Sequence, residues 1–103
     1  MTSEQFQSEV EKSYVRSKYL LIKKEDEYSE GTDRLDQFKK IACLNNEPST
    51  RSLWGMASKH ITSIATMCKN PTLYGLIQWR EKVNDLRNYT FLLDALLAEM
   101  EIE

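Results

Sequence analysis

The chain has 103 residues, enough for one domain with its own core and too few for two. Hydrophobic residues make up 41% and charged residues 29%, the balance of an ordinary globular domain rather than a disordered or membrane-embedded one. With 14 basic against 16 acidic residues the net charge is −2, so the basic excess of a phosphate-gripping surface is missing and direct nucleic-acid binding is not expected.

Cys43 and Cys68 are the only cysteines. They fall in two different predicted helices, form no CxxC pair, and with the single histidine, His60, cannot complete a four-ligand zinc site. Their helix-interior positions read as core, which predicts buried free thiols in a reduced compartment. Met1-Thr2-Ser3-Glu4-Gln5 carries neither the positive start nor the apolar run of a signal peptide. No apolar stretch is long enough to span a membrane. The expectation is a cytoplasmic domain without membrane contact.

Glycine and proline are scarce, three and two, and mark the joints. The first helix starts near Thr2-Ser3-Glu4-Gln5, where Thr2 and Gln5 have capping-box spacing. Its inward stripe is Phe6, Val10, Tyr14, Ser17 and Leu21, widened by Val15, Tyr19 and Ile22, and it ends after Tyr28, before Gly31. A second helix begins at Thr32 or Asp33 and turns Leu35, Phe38, Ile41 and Ala42 inward. Asn45-Asn46-Glu47-Pro48-Ser49-Thr50 is a turn, with Ser49 or Thr50 as the next N-cap. The third helix carries Leu53, Met56, Ala57, His60, Ile64 and Met67 in one stripe and breaks at Asn70-Pro71-Thr72. The last helix spans about Leu76 to Met100, with an irregular start around Tyr74-Gly75.

Four amphipathic helices, no repeat and no strand-like alternation predict an all-α, four-helix bundle-like single domain over residues 1–103, two helices long and two shorter. Such a set makes a thin core for one bundle. A second copy would give the outer apolar residues a partner, so a homodimer is expected.

The opening of the last helix, Trp79-Arg80-Glu81-Lys82-Val83-Asn84-Asp85-Leu86-Arg87-Asn88-Tyr89, concentrates the candidate chemistry. At about 100° per residue, Glu81, Asp85 and Asn88 lie within roughly 60° of each other, along the edge of the stripe Leu86, Leu93, Leu97 and Met100. Carboxylates at a core boundary call for a metal, a basic partner, a capped neighbour or simply a wet helix end. His60, centred on the third apolar stripe, is either a hydrogen-bonded core residue or a partner of Asp85 or Asn88 across the bundle. Lys59 on its flank meets a phosphate or solvent. Trp54 and Gly55 read as structural, a large ring beside a close backbone approach, and Trp79 as a helix-start anchor or a base-stacking ring. Asp33, Arg34 and Asp36 open the second helix, with Arg34 placed to pair with an acid.

The blocks Lys24-Glu25-Asp26-Glu27-Tyr28-Ser29, Asp33-Arg34-Leu35-Asp36-Gln37-Phe38-Lys39, Leu53-Trp54-Gly55-Met56-Ala57-Ser58-Lys59-His60 and Trp79 through Tyr89, in this order, resemble a widespread group of small phage and prophage proteins of undetermined function. That group is in turn similar to the nucleotide-modification-associated and MazG-like all-α families. The MazG-like resemblance implies a helical nucleoside-triphosphate pyrophosphohydrolase that holds Mg²⁺ with acidic pairs on two helices. Glu81 and Asp85 match one pair. For the other, Glu27 and Glu30 have the spacing, although Glu30 abuts Gly31 and departs from a continuous helix. On this reading Glu27, Glu81 and Asp85 are metal ligands and catalytic groups, and Tyr28, Lys59, His60 and Asn88 contact the ligand. The plainer reading makes Lys23-Lys24-Glu25-Asp26-Glu27 a solvated charge run.

Two functions follow. One is an Mg²⁺-dependent protein that binds a nucleoside phosphate and hydrolyses it between phosphates. The other is a non-catalytic phage protein, acting in the host cytoplasm, that binds a host defence nuclease or another host machine through acidic runs such as Glu25-Asp26-Glu27 and Glu99-Glu101-Glu103.

Overall fold

Thr2 opens the first helix as its spacing predicts. Its backbone N–H donates to Oε1 of Gln5 at 2.8 Å, and the Gln5 N–H donates to Oγ1 of Thr2 at 3.1 Å. This reciprocal box satisfies two of the donors that a helix start leaves unpaired. The computed structural model describes residues 1–28 and 33–100, and the side chains within that range except those of residues 24–28. Four α-helices follow one another: α1 (Ser3–Tyr28), α2 (Asp36–Asn45), α3 (Ser49–Lys69) and α4 (Leu76–Glu99), with a short 3₁₀ turn at Pro71–Leu73. No strand occurs among the described residues, and none of their helices is long and apolar enough to cross a membrane. The protein is all-α.

The central element is α4. It packs against α1 on one side and α3 on the other, and α2 lies on α3. Leu35, Phe38, Leu53 and Leu96 form the buried core, with Met56, Tyr89, Leu92 and Leu93 packed around it. Leu53 and Ala57 are fully buried, so the predicted α3 stripe does face inward.

The joints differ in detail from their sequence reading. Asn46 ends α2 in the left-handed conformation at φ 51°. The Glu47 N–H donates to the Ala42 carbonyl at 3.0 Å and the Asn46 N–H to the Cys43 carbonyl at 3.3 Å, closing the last turn, and Pro48 prevents its continuation. Neither Ser49 nor Thr50 caps α3; the cap position is Pro48, with no side-chain hydrogen bond. The Glu47 carboxylate holds this corner instead, accepting from Ser52 Oγ at 2.8 Å and pairing with Arg51 Nε at 3.2 Å. The second helix starts at Asp36, later than expected, because Asp33 Oδ1 accepts the Leu35 N–H at 3.0 Å and folds the preceding residues into a turn. The expected α1 end before Gly31 and the Thr32 start lie outside the described residues.

Four other expectations are corrected. Of the α1 stripe, Ser17 is buried and Leu21 half-buried, but Phe6, Val10 and Tyr14 are exposed, as are Val15, Tyr19 and Ile22. Among the described residues α1 packs against α4 alone, and a single neighbouring helix covers only one strip of its surface. Met100 is exposed rather than part of the inward α4 stripe. Cys43 and Cys68 are free but exposed, on the outer faces of α2 and α3. Gly55 makes no close approach: among the described residues a Cβ there would meet nothing within 4 Å beyond its own helix, and Trp54 beside it is about half exposed. Trp79 does anchor a helix start. Its Nε1–H donates to the Pro71 carbonyl at 3.0 Å and its ring meets Tyr74 edge-on.

Candidate functional site

The two sides of α4 carry different polar chemistry. On the α1 side, Ser17 Oγ donates to Asn84 Oδ1 at 2.9 Å. Arg87 Nη1 donates to Asn84 Oδ1 at 2.8 Å, Ser17 Oγ at 2.7 Å and the Ser13 carbonyl at 3.1 Å. Ser17 is fully buried and Asn84 nearly so. A guanidinium held by three neutral oxygens locks one helix against another. Its acceptors are already engaged, so this seam is structural.

Towards α3 lies a cavity of about 270 Å³ between α1 at Leu21, the loop before α2, and the bodies of α2, α3 and α4. Leu21, Phe38, Met56 and Leu92 supply apolar walls, and Arg34, Gln37, His60, Asp85 and Asn88 supply polar groups. The lining is nearly as polar as it is apolar, more polar than the usual small-molecule site but with the convergent polar groups such a site uses. The His60 ring packs on Tyr89 with centroids 5.1 Å apart, and Tyr89 meets Phe38 edge-on at 6.5 Å.

Helical register brings the cavity's polar groups together. Asp85 and Asn88 follow one another on one face of α4, and His60 faces them from the fourth turn of α3. His60 Nδ1 is 3.8 Å from Asp85 Oδ2, beyond hydrogen-bond length but close enough for an ion pair when the imidazole is protonated. Asn88 is only 5% exposed, yet among the described residues neither its amide nitrogen nor its amide oxygen has a hydrogen-bond partner, and His60 Nδ1 is likewise buried and unmatched there. Buried side-chain polar atoms nearly always find partners, and an unmet one costs about 1–3 kcal/mol.

Arg34 reaches the rim because a charged clamp fixes its loop. Lys39 Nζ binds Asp33 Oδ2 at 2.7 Å and also binds Glu99 Oε1, tying the loop to α2 and to the end of α4. The Lys39 hydrogen bond, aided by the Leu35 N–H, holds the Asp33 carboxyl below its ordinary value. The same partners, Asp33 first and then Glu99, raise Lys39 to about 12.

The expected site residues are therefore distributed as follows. His60, Asp85 and Asn88 converge on the cavity. Glu81, one turn before Asp85, is exposed and does not line it. Lys59 is exposed and borders a separate depression with Ile41, Glu47, Arg51 and Trp54. The side chains of Glu27 and Tyr28, and all of Glu30, lie outside the described residues. Among the described residues no three of His, Cys, Asp and Glu are grouped to hold a metal ion.

Sequence reasoning missed Gln37 in the cavity and Asn84 and Arg87 in the seam. Asn84 had a signal: it stands one turn before Asn88, and the two amides alternate with Arg87 along the helix. Comparison with known proteins finds no family model that matches the chain, and no matching curated protein or solved structure.

Proposed function

We propose that the protein binds a nucleoside phosphate in the His60–Asp85–Asn88 cavity, with Mg²⁺ as its counter-ion. The observation that carries this reading is the Asn88 amide, buried at the cavity wall with both donor and acceptor unmatched. A base edge presenting an adjacent acceptor and donor complements a side-chain amide in two hydrogen bonds. Arg34 at the rim supplies the planar cation that suits a phosphate oxygen pair. Asp85 is a suitable anchor for Mg²⁺, which takes one or two carboxylates and completes its shell with water and substrate phosphates. The bound ion would neutralise phosphate charge. The resemblance to small phage proteins and MazG-like families supports the choice of ligand and metal, and hydrolysis between phosphates is the reaction it implies.

The test is a thermal shift against nucleoside mono-, di- and triphosphates with and without Mg²⁺, for the wild type and for Asn88→Leu. A ligand at a hundred times its dissociation constant adds about 2.7 kcal/mol, which raises Tm by roughly 10 °C or more in a domain of this size. The wild type should respond and Asn88→Leu, equally folded, should not. Absence of any response across the panel overturns the proposal. Phosphate or pyrophosphate release from the responding nucleotide then decides between binding and hydrolysis.

A further inference from the structure

The seam that locks α1 to α4 has spent its acceptors but not its donors. Arg87 Nη1 donates to Asn84 Oδ1, Ser17 Oγ and the Ser13 carbonyl, and Ser17 Oγ itself donates to Asn84 Oδ1. A second guanidinium closes on the same residue: Arg16 Nη2 donates to Ser13 Oγ at 3.0 Å. Arg16 and Arg87 therefore meet at Ser13, one on its hydroxyl and the other on its carbonyl. Both are partly buried, and Arg16 Nε is shut off from solvent with no partner among the described residues. The Ser13 O–H, turned away from the bond its oxygen accepts, finds no acceptor among them either.

No carboxylate offsets this pair of charges, since neither arginine forms an ion pair among the described residues. Glu9 stands two turns before Arg16 on the same row, and it is joined to Lys12 at 3.6 Å. Asp94 stands two turns after Arg87, about 10 Å along the axis. Arg80, two turns before Arg87 on the same row, adds a third cation with no ion pair among the described residues. Charges withdrawn from water are ordinarily paired, and like charges drawn together raise the demand for a counter-ion.

We propose that this point of the seam binds a phosphate group, as inorganic phosphate or a small phosphomonoester. Near neutral pH a phosphomonoester carries a charge of about −1.5 to −2 and offers strong acceptor oxygens. It balances two guanidinium groups, whereas a carboxylate balances one. The planar forks of Arg16 and Arg87 suit its oxygen pairs, and the Ser13 hydroxyl supplies a further donor. Arg16 comes from α1 and Arg87 from α4, so the bound anion bridges the two helices. Ser13, Arg16 and Arg87 are absent from the lining of the Asn88 cavity, and the inference stands apart from the nucleotide reading.

The test is a phosphate titration at constant ionic strength, with chloride as the reference salt, followed at the arginine Nε–H resonances by heteronuclear NMR. Saturable shifts at Arg16 and Arg87 are expected, and glycerol phosphate in a parallel titration decides which form binds more tightly. Arg16→Met should weaken binding about tenfold or more, the worth of a charge-assisted hydrogen bond, and Arg16→Lys should recover part of it. Ser13→Ala, which keeps both cations, should weaken it less. Arg34→Met, at the rim of the separate cavity, should leave the Arg16 and Arg87 shifts in place. Circular dichroism checks that each variant keeps its helices. Shifts at Arg16 and Arg87 no larger than chloride produces overturn the proposal. So does a phosphate affinity that is equal in the wild type and Arg16→Met, or that is lost in Arg34→Met.

Discussion

The two faces of α4 solve the burial of polar groups in opposite ways. Towards α1, Ser17, Asn84 and Arg87 share hydrogen bonds so that, among the described residues, a cation is held without a carboxylate. Towards α3, Asn88 and His60 are buried beside a cavity with polar atoms unmatched. Asn88 stands only four positions after Asn84 in the chain, yet one amide is consumed by structure and the other has no hydrogen-bond partner among the described residues. A satisfied network fixes how two helices meet, whereas an unsatisfied one is a stability cost.

Substitutions can break this contrast in a definite order. Leu53→Ala, in the fully buried core behind the cavity, should lose about 2–5 kcal/mol in chemical denaturation, the usual cost of a leucine cavity. Ser17→Ala should lose about 1–3 kcal/mol, since it withdraws a partner from both Asn84 and Arg87. Asn88→Leu should cost far less than Ser17→Ala, because it removes no hydrogen bond. If Asn88→Leu destabilises as much as Ser17→Ala, the two faces are alike and the contrast fails.

The smallest effect is electrostatic. Asp33 is held below its ordinary carboxyl value, so its contribution is present above that value and lost as pH falls through its lowered one. Lys39 is raised from 10.5 to about 12, so its contribution is complete below 10.5 and lost as pH rises through about 12. Denaturation midpoints measured from acid to alkaline pH should therefore be flattest between these limits. Lys39→Met should reduce the acid-side slope, with only a small change at neutral pH because the clamp is partly exposed.

Much of the fold was legible because local rules and tertiary packing agree. The Thr2–Gln5 box, the Asn70-Pro71 break and the Trp79 anchor rest on interactions within a few residues, and the α3 row through Leu53 and Ala57 follows from helical spacing. For the site, the face shared by Asp85 and Asn88 follows from helical spacing, and its meeting with His60 was one of the alternatives that an apolar-stripe histidine leaves open. Gln37 was not legible, since nothing in its spacing tells which side of a short helix faces a cavity. The exposed cysteines show the same limit. A helix-interior position constrains the backbone, not which face is covered.

By itself, then, the sequence determined four helices, their boundaries to within a turn or so, and the rows of side chains along each. Those properties depend on rise, rotation and capping within single segments. Only the tertiary structure decided that Asn84 is satisfied and Asn88 is not, and that Phe6 and Val10 stand open while Leu53 is sealed. Helical rows are equivalent until a neighbour covers one of them, and which neighbour arrives depends on how α1 and α3 pack against α4.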